Sequence, residues 1–69
     1  MKINETLKDA LILKYQGDIA TAKANIQVYL TSPVGIGEHP DLISAIDTEM
    51  EKAAEADDKL TFLVDQLDW

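Results

Sequence analysis

His39 is the single histidine of this chain, and it stands between Gly35-Ile36-Gly37-Glu38 and Pro40-Asp41. A histidine there could act as a general base, and glycines ahead of a helix start could cradle an anion on free N–H groups. Neither chemistry is completed by its neighbours. The glycine string matches no phosphate-loop or dinucleotide fingerprint, no strand pattern precedes it, and Glu38 and Asp41 repel phosphate. There is no cysteine nucleophile, no G-x-S-x-G elbow, no H-E-x-x-H and no Glu-x-x-His pair of the di-iron kind. A structural zinc would have to be built from carboxylates around one histidine. The sequence therefore predicts no enzyme, no catalytic residue, no metal and no cofactor, with Gly35, Gly37 and His39 shaping a turn.

Residues suited to recognising a partner come later in the chain. Asp47, Glu51, Glu55, Asp58 and Asp65 fall on one helical arc, with Phe62 and Trp69 beside them near the C-terminus. Like charges four residues apart mildly destabilise a helix, so this arc is not there for helix stability. Aromatic side chains next to charges are typical interface anchors, which makes these seven residues the candidate partner-binding surface. The competing reading is an oligomer that packs Phe62 and Trp69 and uses the acids for solubility.

The charge balance narrows the partner. Up to Ile36, four lysines meet Glu5, Asp9 and Asp18; from Gly37 onward ten acids meet only Lys52 and Lys59, giving −7 in all. Nucleic-acid backbones and anionic membranes call for a basic face, so neither is expected as a partner, whereas a protein with a basic surface is. No apolar run approaches the roughly 20 residues that span a bilayer, and the first residues carry no signal-like hydrophobic segment. With no cysteine, a reducing compartment fits, and the cytoplasm is the expected location.

Two long helical patterns must position these residues. Asn4 and Thr6 are N-cap types, and Ile12, Tyr15, Ile19, Ala22, Ile26 and Tyr29 recur in steps of three and four until Pro33 ends the run. Pro40 and Asp41 suit a helix start, followed by Ile43, Ile46, Met50, Ala53, Asp57, Leu60, Val64 and Leu67. The prediction is an all-α, single-domain antiparallel two-helix hairpin over residues 1–69: helix 1 about 5–31, connector 32–39, helix 2 about 40–67. Folding back at Ile36 makes facing residue numbers add to 72, so Ile43 meets Tyr29, Ile46 meets Ile26, Met50 meets Ala22 and Leu60 meets Ile12. Asp57 then faces Tyr15, and a hydrogen bond between them is expected to fix register; the alternatives are a ligand-binding pair inside a bundle, or an Asp57 that simply reaches solvent.

A chain of 69 residues has a marginal core, and without disulfides association is the remaining remedy. Helix 1 carries a second line, Ala10, Leu13, Gly17, Ala20, Ala24 and Val28, that one partner helix cannot also cover. The expectation is a homo-oligomer, foremost a dimer forming a four-helix bundle with helix 1 innermost and Leu13, Gly17, Ala20, Ala24 and Val28 at the interface.

The string Pro33-Val34-Gly35-Ile36-Gly37-Glu38-His39-Pro40-Asp41-Leu42, between the Ala/Lys-rich Ile19–Ile26 segment and an acidic second helix, resembles small uncharacterised accessory proteins of large tailed bacteriophages, including those of marine cyanobacteria. The resemblance covers most of the chain. It implies a phage accessory product working in the host cytoplasm, and it brings no activity and no site residue. The expected role is then a non-enzymatic oligomeric hairpin binding a host protein through the acidic face of helix 2. The alternatives are a protein sequestering nucleotide signals between subunits, through Tyr15, Tyr29 and the connector, or a minor virion component.

Overall fold

The computed structural model describes residues 3–31 and 39–67, with side chains at 3–31 and 41–67. Pro33, Gly35 and Gly37, the side chains of His39 and Pro40, and Trp69 lie outside the described residues. Two helices make up the fold: α1 (Ile3–Thr31) and α2 (His39–Asp65). Helix α1 begins slightly earlier than its cap residues suggest, so Asn4 and Thr6 lie inside the first turn. It ends ahead of Pro33, with Thr31 Oγ1 donating to the Gln27 carbonyl at 2.7 Å in the last turn. Helix α2 opens at His39–Pro40 and stops two residues short of the expected Leu67, its end closed by Gln66 N–H on the Phe62 carbonyl at 2.8 Å.

The helices lie side by side and antiparallel. Asn25 is bonded to Glu49, and Lys59 stands over the Tyr15 ring. The molecule measures 53 × 20 × 12 Å, and its thinnest dimension is that of a single helix, so no second layer covers either side.

The seam of α1 is the expected one. Ile12, Tyr15, Ile19, Ile26 and Tyr29 are half-buried and Ala22 is 1% exposed. The seam of α2 is not. Its inward line is Leu42, Glu49, Ala56 and Leu63, with Ala45, Ile46, Ala53 and Leu60 half-buried at its edges. Ile43, Met50 and Val64, expected inside, are 69%, 55% and 50% exposed, and Asp57 is exposed with them. Helix α2 carries two heptad lines one residue apart, and the hairpin buries the other one. Facing numbers correspondingly add to 74 rather than 72, as 25 with 49 and 15 with 59 show.

Two physical reasons favour the observed line. Ala22 and Ala56 are both buried, and two methyl side chains on the seam let the backbones approach where Met50 would hold them apart. Glu49 also finds a donor on the other helix. The expected Tyr15–Asp57 hydrogen bond is absent: Lys59, rather than Asp57, comes to Tyr15. Asn25 and Glu49 carry the polar cross-link between the helices.

Among the described residues the buried hydrophobic side chains are Ala22, Ala56 and Leu63 alone. The chain exposes 5326 Å² at a mass of 7.6 kDa. A compact monomer of that mass exposes about 4,300 Å², so the hairpin shows roughly 1,000 Å² in excess.

Candidate functional site

One residue turns a helix by about 100°, so each helix has two flanks beside its buried line. On α2, Lys52 and Lys59 follow Glu49 and Ala56 by three residues and fall on one flank; Ile43, Met50 and Val64 fall on the other. On α1, Asp18 and Asn25 follow Tyr15 and Ala22 by three and share the lysine side, while Ile12, Ile19 and Ile26 take the opposite one. The hairpin as a whole is therefore amphipathic, polar along one open groove and apolar along the other.

The polar groove encloses about 360 Å³ and is lined by Lys14, Asp18, Thr21, Asn25, Glu49, Lys52, Glu55 and Lys59 above the two alanines. At its centre Glu49, 7% exposed, accepts Asn25 Nδ2 at 2.8 Å and Lys52 Nζ at 3.1 Å. The Asn25 hydrogen bond first, then that of Lys52, lower the Glu49 pKa below the ordinary carboxylate range, against an opposing push from burial. Lys59 pairs with Glu55 at 2.9 Å, which raises the lysine's pKa, and Lys14 pairs with Asp18 at 2.8 Å. Both ammonium groups also stand near the Tyr15 ring, at 5.8 Å for Lys14 and 5.9 Å for Lys59. Every charge in this groove is matched, so it reads as a zip between helices rather than a receptor.

Toward the free ends the groove turns apolar. Leu11, Tyr15, Asp58, Lys59, Phe62, Leu63 and Leu67 line an open hollow of about 520 Å³. Phe62 is 57% exposed on its rim, and Asp58 sits beside it. This juxtaposition joins two of the seven candidate partner-binding residues, Asp58 and Phe62, to Leu11 and Tyr15 of α1.

The acidic arc divides. Asp47, Glu51, Asp58 and Asp65 stay on the outer side of α2, exposed and without an ion pair among the described residues, over a length of about 27 Å. Glu55 turns toward the groove and is held by Lys59. Leu13 and Val28 are strongly exposed on the far side of α1, with Gly17, Ala20 and Ala24 exposed between them. A Cβ built on Gly17 meets nothing within 4 Å, so nothing among the described residues requires glycine there. Tyr15 and Tyr29, half-buried on the seam, are about 21 Å apart along α1, and one hairpin does not bring them together.

Glu49 and Asn25 are the residues periodicity missed. The usable signal was the Leu42–Glu49–Ala56–Leu63 heptad line, as regular as the neighbouring one and ending in a large apolar residue at each end. Among the described residues no group of three or more acidic or histidine side chains is placed to hold a metal, and no helix is long and apolar enough to cross a membrane. Compared with protein-family models, curated proteins and solved structures, the chain matches none.

Proposed function

We propose that this protein is a non-enzymatic interaction module: hairpins pair through their apolar side into a four-helix bundle and present the acidic outer side of α2 to a protein with a basic surface. The observation that carries the reading is the outer line Asp47, Glu51, Asp58 and Asp65, fully displayed while both lysines of α2 are committed to Glu49 and Glu55. Uncompensated carboxylates at this spacing steer a cationic partner and set its orientation. Phe62, exposed beside Asp58 at the hollow's rim, supplies the apolar anchor such a contact needs. By the turn's resemblance to phage accessory proteins, the partner belongs to a bacterial host.

The test is affinity capture from host cytoplasm with the wild type and with Asp47, Glu51, Asp58 and Asp65 changed to their amides. Loss of the captured protein, with helix content unchanged by circular dichroism, supports the reading. An identical captured set leaves the acids with a solubility role only.

The hollow lined by Tyr15, Phe62 and Lys59 favours a second reading, a planar ligand such as a nucleotide stacked between aromatic rings with a cation alongside. A thermal-shift screen against nucleotides decides it. Stabilisation lost in Phe62→Ala supports this reading, and no shift with any nucleotide rejects it.

A further inference from the structure

Near its middle, the apolar side of the hairpin holds an acid and a lysine that the other described residues leave unmatched. Asp57 is the single charged member of the exposed line Ile43–Met50–Asp57–Val64. Lys23 lies on the same side of α1, four residues after Ile19 and three before Ile26. Neither has an ion pair among the described residues, in contrast to Lys14, Lys52 and Lys59. An acid and a lysine so placed are what a register-setting contact needs, but within one hairpin they stand at different levels. Facing numbers add to 74, so Lys23 is level with residue 51, six residues from Asp57.

A second copy removes the mismatch. The exposed line runs from Ile43 to Val64, and its midpoint falls between residues 53 and 54. A twofold axis there, perpendicular to the helices, lays α2 antiparallel against α2 of the second copy. Ile43 then meets Val64 and Met50 meets Asp57. The same operation carries level 51 to level 56, so Lys23 arrives within one residue, about 1.5 Å of helix rise, of Asp57 in the other copy. The two residues then lie on diagonal helices, and the extended lysine stem together with the aspartate side chain has to span the lateral gap of about one helix spacing, roughly 8–10 Å.

We infer that the apolar side is a homodimer interface with twofold symmetry, antiparallel in α2, whose register is set by two reciprocal Lys23–Asp57 ion pairs. This rests on the self-association in the functional reading above and gives it a face, an axis and a pair of residues. The whole-chain excess of about 1,000 Å² per copy is of the same order as the roughly 800 Å² per partner that a standard interface buries. The twofold axis also leaves the acidic outer side of α2 and the Phe62 hollow uncovered.

Charge reversal tests it with the full-length chain, followed by sedimentation equilibrium and circular dichroism. Lys23→Glu sets a carboxylate against Asp57 at both symmetric contacts, and Asp57→Lys sets an ammonium group against Lys23 at both. Each variant alone is therefore expected to lose at least about tenfold in dimer affinity. Mixing the two variants restores opposite charges at both contacts: the introduced carboxylate of one chain meets the introduced ammonium of the other, and the native Lys23 and Asp57 meet at the second. A heterodimer of near wild-type affinity is expected. That rescue cannot come from misfolded chains. A wild type that stays monomeric removes the self-association reading itself. A dimeric wild type with unaffected single variants, or a mixture that fails to associate, overturns this interface while self-association stands. Weakening by Val28→Asp and not by Lys23→Glu overturns it in favour of the outer side of α1.

Discussion

The Glu49 carboxylate accepts from Asn25 on α1 and from Lys52 one turn further along α2, so its charge is tied directly to the pairing of the two helices. Its folded-state pKa lies below the unfolded value. The stability that the charged form contributes is therefore fully present above the ordinary carboxylate range and is lost as pH falls through the lowered folded value. Glu49→Gln mimics the protonated form. Its melting temperature is expected below wild type at neutral pH, with the gap closing as pH falls through the ordinary carboxylate range and below it, where protonation reaches the wild type as well. Melts followed at 222 nm across that range check this, and a gap independent of pH contradicts it.

At the scale of the elements, both helices and their antiparallel pairing are legible in the periodicity of apolar residues, and so is the α1 seam. The α2 seam is not, because hydrophobicity alone does not separate Leu42–Glu49–Ala56–Leu63 from Ile43–Met50–Asp57–Val64. The choice between them depends on side-chain size at Ala22 and on a donor at Asn25, which are properties of the facing helix. Substitutions report that choice. Ala56→Leu is expected to cost about 1–3 kcal/mol by overpacking, and Leu63→Ala about 2–5 kcal/mol by losing a buried side chain, whereas Met50→Ala is nearly neutral in the isolated hairpin. Chemical denaturation at concentrations where the chain is monomeric measures all three; there, a Met50→Ala cost matching that of Leu63→Ala reinstates the other line. Gly17→Ala is expected to stabilise α1 by about 1 kcal/mol, since a methyl group there meets only open space.

At the scale of the whole molecule, two helices one layer thick bury too little to stand as a finished domain. Three small or medium hydrophobic side chains are enclosed among the described residues, while Ile43, Met50, Val64, Phe62 and others stay in water. The candidate site was legible in part: the outer acids and Phe62 are exposed as their spacing implied, but the drawing-in of Glu55 by Lys59 depended on the polar groove. Which surface the hairpin leaves apolar and displayed depends on the α2 seam, because a shift of one residue exchanges the buried line for the displayed one. The apolar side is the molecule's unfinished half, and its completion by a second hairpin is the central claim. Sedimentation equilibrium of the unmodified chain tests this most directly. The account predicts a species of twice the 7.6 kDa chain mass at micromolar concentration, with a melting temperature that rises with concentration. A single species at the chain mass, melting cooperatively at a temperature independent of concentration, would contradict it.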